Sequence, residues 1–404
     1  MGVFKNRLRN AAEKTPVFVH RFATKVEIKR IKKPLMTDSD VEYCEKNPEA
    51  RTQIVKKYIK KNPGYSKQMD ANIRKMFSNN DKLKKLSKAD RTAMINDMRF
   101  CRFAYGTQID EYVFMDFFDK NKKSSDRRGV VSDTEQRIVR LCCNDMTHAE
   151  LSDKAKAYDI LKKYYKRDAL VITKNKDWNR FNKFANKHSC FVVKRVCSSR
   201  GNGVEIVDMN TINDRKVFFR SLLDSGKVLL EEVIHQSNEL AQFNPDSVNT
   251  ARVSTFLTKN GVVAPWGFFR TGRKGSFIDN CAAGGVFASL DTINGLTSSN
   301  GCDESGNRYD YHPDSNIKME GFKLPDWDQA LALCKEAALL TPEIKYLSWD
   351  LAHSDKYGWV IVEVNTCGQM LQQVGNLKGI KSELKEILDQ MDLLYPYEFI
   401  RSET

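Results

Sequence analysis

Two acids and an amide near the C-terminus have the types and spacing to hold a hard cation. The stretch WDLAHSDKYGWVIVEVNT (349 to 366) sets Asp350 before a turn, and Glu363 and Asn365 after it. From Trp359 to Asn365 the chain alternates with the period of a strand: Trp359, Ile361, Glu363 and Asn365 share one face, and Val360, Val362 and Val364 the other. Leu347 to Ala352 reads as the partner strand, and Asp355 to Gly358 as the turn. A hairpin centred between Lys356 and Tyr357 puts Asp350 directly opposite Glu363, with Cβ atoms roughly 4.5–5.5 Å apart. Two carboxylates that close repel unless a positive group sits between them. Asn365 adds an amide oxygen one pleat further on. Three hard oxygen donors so placed suit Mg²⁺, which commonly keeps waters and shares its shell with phosphates. The competing reading is the polar, solvent-facing side of an edge hairpin.

A second stretch, FVVKRVCSSRGNGVEIV (191 to 207), runs strand, small-residue loop, strand. Lys194 lies on the first strand. Ser198, Ser199, Gly201 and Gly203 let the backbone approach a bound group closely, and their amides can cradle phosphates that Lys194 would neutralise. It lacks the GxxxxGK[ST] pattern and is followed by a strand, so it is not a Walker A loop, and taken alone it reads better as a tight β-turn beside a basic residue. A third, VLLEEVIHQSNE (228 to 239), ends an apolar strand in Glu231 and Glu232. Such an exit can present backbone groups to a nucleotide base, with an acid such as Glu239 on the ribose. An ordinary strand-to-loop exit is the alternative.

The elements that must position these groups can be read from patterning. Met1 to about Lys33 forms one or two basic helices broken by Pro16, and residues 38 to 150 are mainly helical. RFAYGTQIDEYVFMDFF (102 to 118) is apolar enough to pack on the next domain, and KNKKSSDRRG (120 to 129) reads as a polar loop. LSDKAKAYDILKKYY (151 to 165) is a helix capped by Ser152. Strands follow at Val171 to Thr173, Phe191 to Val196 and Val228 to Ile234. Thr250 to Lys259 and Val262 to Arg270 make a hairpin about Asn260-Gly261. Residues 271 to 325, rich in Gly, Asn, Asp and Ser, form a long loop, which marks a functional candidate. Helices at Trp327 to Leu340 and Lys381 to Leu394 flank the acid-bearing hairpin. The expected division is 1–36 basic segment, 37–150 helical domain, 151–240 lid subdomain and 241–404 metal-binding subdomain.

In this order the pieces resemble the ATP-grasp superfamily: lysine strand, glycine loop, acidic strand exit, Arg252, then an acid with Glu-x-Asn. The metal-site spacing is similar to that of D-alanine–D-alanine ligases. More closely, DSVNTARVSTFL (246 to 257), FIDNCAAGGVFASLDTINGL (277 to 296), YHPDS (311 to 315), LPDWDQAL (324 to 331) and SWDLA with IVEVN resemble the sugar-transfer associated ATP-grasp family. The likeness runs from about Phe103 to Gly368. It implies an α+β ATP-grasp fold, two α+β subdomains clasping ATP behind a mainly helical basic N-terminal region. It implies Lys154 and Lys194 as the two nucleotide lysines, Ser199, Gly201 and Gly203 in the loop over the phosphates, and Glu231 or Glu232 at the adenine amino group. Val233 and Ile234 would supply backbone contacts and Glu239 would hold the ribose. Arg252 would face the transferring phosphoryl group, and Asp350, Glu363 and Asn365 would hold two Mg²⁺. D-alanine–D-alanine ligases carry an arginine two residues before the metal aspartate. Ser348 stands there in this chain, so that role passes to Arg252 or Arg270. Arg270, Arg273 and Asn280 are the candidates for acceptor contacts, with ordinary surface arginines as the alternative.

The chain has 404 residues, 29% charged and 41% hydrophobic, enough for two or three cores. Its net charge is +14, and Met1 to Met36 alone holds ten Lys/Arg against two Asp/Glu. A basic surface implies an anionic partner. Contact of the N-terminus with anionic membrane is one expectation for this segment, a solvated basic helix the other; nucleic acid is not expected. No apolar run reaches membrane-spanning length, and the N-terminus is too charged for a secretory signal. Ten cysteines without a CxxC pair suggest reduced thiols and a cytoplasmic protein, with peripheral attachment to the inner membrane face as a variant. The expected activity joins an amine or amino acid to a carboxylate through an acyl phosphate, in polysaccharide or cell-surface glycan synthesis, with ATP and Mg²⁺. The alternative is a kinase phosphorylating a hydroxyl.

Overall fold

The computed structural model describes residues 17–31, 35–119, 121–144, 150–195, 203–399 and 401. Two antiparallel sheets organise the chain from Ala169 to Asn365. The smaller has the order β1 (Ala169–Ile172), β4 (Val228–Glu232), β2 (Cys190–Arg195), β3 (Val204–Asp208). Period-two alternation sorts its side chains. Phe191, Val193, Val228 and Leu230 meet the helices Trp178–Lys187 and Arg215–Asp224 through Phe181, Phe184, Phe219 and Leu222. Lys194 and Glu231 therefore share the opposite face.

The larger sheet runs β10 (Arg308–Tyr309), β9 (Gly301–Cys302), β7 (Val286–Asp291), β6 (Gly261–Thr271), β5 (Thr250–Thr258), β11 (Tyr346–Ser354), β12 (Gly358–Asn365), with β8 (Leu296–Thr297) paired to β7. One face buries Val253, Phe269, Ala288, Leu347, Trp349, Leu351, Trp359 and Ile361 against the helix Trp327–Ala338 and the helix Lys154–Tyr165. The other face is covered piecewise. Phe256, Trp266 and Tyr346 pack with the C-terminal helix Lys381–Asp389. Phe268, Phe287 and Cys302 join the core of the N-terminal helices, which includes Phe100, Phe103, Tyr112 and Phe117. Between these patches lies a polar strip centred on Arg252 and Asp350.

Several expectations shift. Residues 271 to 325 are not one loop: β7 to β10 lie within them and extend the sheet. The stretch 120 to 129 contains the helix Ser124–Arg128, fixed by the buried Arg127, which donates from Nη2 to Asp97 at 2.7 Å. The helix at 154 is capped by Asp153, whose carboxylate accepts from the amides of Ala155 at 2.9 Å and Lys156 at 3.2 Å; Ser152 is not its cap. The β5–β6 turn is Lys259-Asn260, since Thr258 pairs with Gly261. The helix Val17–Ile31 docks on the helix Asp133–Cys143, with Ile28 buried among Ile138, Cys142 and Tyr395. Residues 1–16 of the basic segment lie outside the described residues. Among the described residues no helix is long and apolar enough to cross a membrane.

Candidate active site

Asp350 pairs with Glu363 across β11 and β12, and Ser348 with Asn365. The pairing is as expected; its origin is not. From Ser354 to Leu351 the register follows a turn one residue tighter than the one expected, with Leu351 opposite Ile361 and Ser354 opposite Gly358. The register then shifts between Leu351 and Asp350, and Val362 is left without a cross-strand partner. This bulge also corrects the faces. Trp359 and Ile361 point into the core and so does Val364, whereas Glu363 and Asn365 turn to the other side beside Asp350. Unbroken alternation would have sent Glu363 the way of Ile361.

The positive groups near the two carboxylates are side chains of the same face. Arg252, paired with Asp350 across β5 and β11, grips it with two nitrogens: Nη2 donates to Oδ2 at 2.5 Å, and Nε to Oδ1. Arg270 Nη2 stands 3.3 Å from Asp350 Oδ2 and donates to Thr250 Oγ1 at 2.7 Å; its Nε is 3.4 Å from Asp279 Oδ2. Burial pushes the Asp350 carboxyl up, but Arg252 and Arg270 more than reverse this and hold it below the usual carboxylate value. In Asp279 burial wins, and its pKa lies above normal despite Arg270. Lys154 Nζ lies 3.4 Å from Glu363 Oε1, and Asn365 Nδ2 3.5 Å from Asp350 Oδ2. The two carboxylates and the amide oxygen of this row are a donor set that fits Mg²⁺. Seating an ion there requires Arg252, which holds both oxygens of Asp350, to yield one of them.

Ser348 shows why no arginine occupies that place. Gly368 passes flat over it: a Cβ at 368 would lie 2.1 Å from Ser348 Cβ. The volume a longer side chain would need is filled by backbone. Guanidinium groups reach Asp350 from β5 and β6 instead.

On the facing sheet, Lys194 is buried and donates to Glu231 Oε2 at 2.9 Å. Burial works against the Glu231 carboxylate, but Arg167 and then Lys194 keep its pKa low. Glu232 points the other way, accepting from Lys356 Nζ at 3.0 Å and Tyr357 Oη at 3.2 Å. Of the acidic doublet only Glu231 therefore shares a cleft with Lys194. Val233 and Ile234 are half-buried in the strand exit, and Glu239 is exposed on the short helix Asn238–Ala241. Gly203 has φ +75°, and a Cβ there would meet the Arg195 side chain at 3.1 Å. Ser199 and Gly201 lie outside the described residues.

The sequence profile of the sugar-transfer associated ATP-grasp family matches residues 140–389, more than half of the chain. The chain belongs to this family. No curated protein matches it. Among solved structures it is similar to the ATP-grasp ligase PsnB complexed with minimal precursor, at 10% identity and TM-score 0.39, over 62% of this chain and 64% of that one. It is also similar to D-alanyl-alanine synthetase A from Vibrio cholerae, at 13% identity and TM-score 0.36, over 62% and 66%. A third is the D-alanine-D-alanine ligase from Coxiella burnetii, at 10% identity and TM-score 0.38, over 64% and 63%. Each match takes in less than two-thirds of the relative's length.

Within the ATP-grasp fold of this chain, the expected residues form two groups, with Glu232, Arg273, Asn280 and Glu239 apart from both. Arg252, Arg270, Asp350, Glu363, Asn365 and Lys154 converge on the large sheet, and Lys194 and Glu231 on the small one. Asn280 is not brought in: its Oδ1 accepts from Ala282 N at 3.1 Å and caps a short turn. Arg273 is occupied elsewhere, its Nε donating to Asp314 Oδ2 at 2.7 Å. Glu239 touches neither group. Two residues went unread. Asp279 sits in DNxxxGG one position before the asparagine chosen, in the loop between β6 and β7, and an acid inside that motif was a signal. Arg167, in a run of basic residues, gave none. Beside the loop after β12, a cleft of about 500 Å³ is lined by Asp110, Glu111, Asp133, Glu304 and Gln373, with Lys75 as its one described basic residue.

Proposed function

We propose that this chain is an ATP-dependent carboxylate–amine ligase. The observation that carries the reading is the opposition of Asp350 and Glu363 on a face supplied with Arg252 and Arg270, across from Lys194 and Glu231 on the small sheet. Phosphoryl transfer needs positioning and charge neutralisation more than covalent help. Lys194 and Lys154 hold the phosphates, Glu231 with the backbone at Val233 and Ile234 receives the base, and Glu239 holds the ribose. Ser199, Gly201 and Gly203 cover the phosphates. Asp350, Glu363 and Asn365 hold two Mg²⁺, which when bound neutralise charge between the phosphates and the acceptor.

A carboxylate oxygen of the acceptor, held by Arg252 and Arg270, attacks the γ-phosphorus. The bond to the bridging oxygen breaks and ADP leaves with the electron pair. A neutral amine then attacks the acyl carbonyl, phosphate departs with its electron pair, and the amine proton passes to solvent. The product is an amide. The family's description supports a carboxylate on a glycan or glycan precursor. The separate core of the small sheet, from Leu170 to Leu230, supports a lid subdomain inside 151–240, with the helix Lys154–Tyr165 packed on the large sheet. The basic segment supports a cytoplasmic enzyme that touches anionic membrane.

Product analysis with candidate acceptors and amines tests this. Amine-dependent release of ADP and phosphate, with hydroxylamine trapping the acyl phosphate, is the expected result. A stable phosphorylated acceptor formed without amine would make the enzyme a kinase.

A further inference from the structure

The bulge at Val362 is held from outside its own sheet. β12 is an edge strand, so its outward carbonyls have no ladder partner. Basic side chains from the other part of the fold meet them and the carbonyl of the preceding turn. Lys166 Nζ donates to Tyr357 O at 3.1 Å, Arg167 Nη1 to Ile361 O at 2.5 Å, and Lys194 Nζ lies 3.4 Å from Val362 O. Ile361 and Val362 are the residues at which the register shifts.

Arg167 and Lys194 also share one acceptor. Glu231 Oε2 receives Arg167 Nε at 3.0 Å, Arg167 Nη2 at 2.5 Å and Lys194 Nζ at 2.9 Å. Arg167 is 1% exposed and Glu231 3%. The guanidinium rests over the Tyr165 ring at 4.7 Å, so its plane is fixed. A rigid fork can hold a carboxylate on one edge and a carbonyl on the other; an ammonium cannot do both with the same geometry.

We infer that Arg167 is a positioning residue that locks the β12 bulge and so keeps Glu363 aimed at Asp350. The inference rests on the proposed Mg·ATP site. Lys194 is the nucleotide lysine in that reading, and reaching a phosphate draws it away from Val362 O. Arg167 then remains as the hold on the bulge. Without it the strand can relax toward regular pairing, and a one-residue slip turns Glu363 to the core face. Glu231 joins the two events, because the carboxylate beside the nucleotide base also orients the guanidinium.

The test is calorimetry of ATP binding to the full chain, with EDTA and with increasing Mg²⁺, for wild type, Arg167→Gln and Arg167→Lys. Loss of a residue that orients metal ligands commonly costs about 10- to 100-fold in metal affinity. The expected result is that both variants need about tenfold or more Mg²⁺ to strengthen ATP binding by half, a loss clearly larger than the change of affinity in EDTA, where Glu231 has only lost one partner. Hydrogen exchange over residues 358 to 366 should rise in both. A folded variant with the wild-type Mg²⁺ midpoint overturns the inference. So does an equal loss of affinity with and without Mg²⁺, which is general damage. If neither variant folds, Arg167 is simply core and the inference also falls. A wild-type protein whose ATP binding ignores Mg²⁺ would instead sink the ligase reading, and this inference with it.

Discussion

Asp350 faces Glu363 across the ladder only because Val362 is extruded between the turn and the pair. The carboxylates do not meet bare. Arg252 and Arg270 hold one, and Lys154 approaches the other.

Glu363→Gln therefore has a sharper expected signature than simple relief of repulsion. Its side chain is 40% exposed and its contact with Lys154 is that of a surface pair, worth roughly 0–1 kcal/mol. The apo melting temperature should move by no more than about 2 °C. Turnover on an identified acceptor should nearly vanish, and the thermal stabilisation by ATP with Mg²⁺ should shrink. Near-normal turnover would make the hairpin a polar surface.

Lys194→Ala should weaken Mg·ATP binding by about 10- to 150-fold, the loss of one charge-assisted contact of roughly 1.5–3 kcal/mol. Calorimetry measures this directly. Glu232→Gln is the control: Glu232 serves Lys356 and Tyr357, so its nucleotide affinity should stay at the wild-type value.

His312 gives a pH dependence with a definite sign. It is 1% exposed, its Nε2 donates to Gly272 O at 3.1 Å, and its Nδ1 accepts from Ser315 Oγ at 3.1 Å. Burial is the main cause of its lowered pKa, with nearby Arg273 adding and Asp314 opposing. The folded chain thus refuses a proton that the unfolded chain binds below about pH 6.5. This contribution to stability is complete above that pH and is lost as the pH falls. Melting temperatures measured from pH 8 down to 5 should decline less steeply in His312→Gln than in wild type. Parallel curves would contradict the assignment.

Removing residues 1–16 should leave ATP affinity unchanged and reduce salt-sensitive binding to anionic vesicles. A cut at residue 33 is a different experiment, because it also strips the helix Val17–Ile31 from Ile138, Cys142 and Tyr395. Vesicle co-sedimentation at two salt concentrations reads the first effect. Undiminished binding by the shorter chain would mean that the segment takes no part in it.

The site was legible where residue type alone carried the information. Two acids and an asparagine around one turn, or a lysine entering a glycine loop, leave few chemical readings. What stayed hidden depended on partners far along the chain. Val362 looks like any valine in an alternating strand, and nothing local shows that Arg167 and Lys194 will take the carbonyls beside it. Arg167 itself lies in KKYYKRD, where one basic residue resembles the next, and its partners sit at 231 and 361. The stretch from 271 to 325 has the composition of a loop, yet Val286 to Asp291 pairs with β6 because Phe287 finds the N-terminal helices on one side while Ala288 and Leu290 meet the main core on the other.

That shared packing bears on how the protein can be handled. The family match begins at residue 140, but the hydrophobic seam does not. Phe268, Phe287, Cys302 and Val374 are sealed by side chains from the first 120 residues. A gene fragment trimmed to the recognisable part would lay these side chains bare in one patch and is expected to precipitate. The unfamiliar front of the chain is thus the lid of its own solubility, and any homologue with a different front must carry a compensating surface at these four positions.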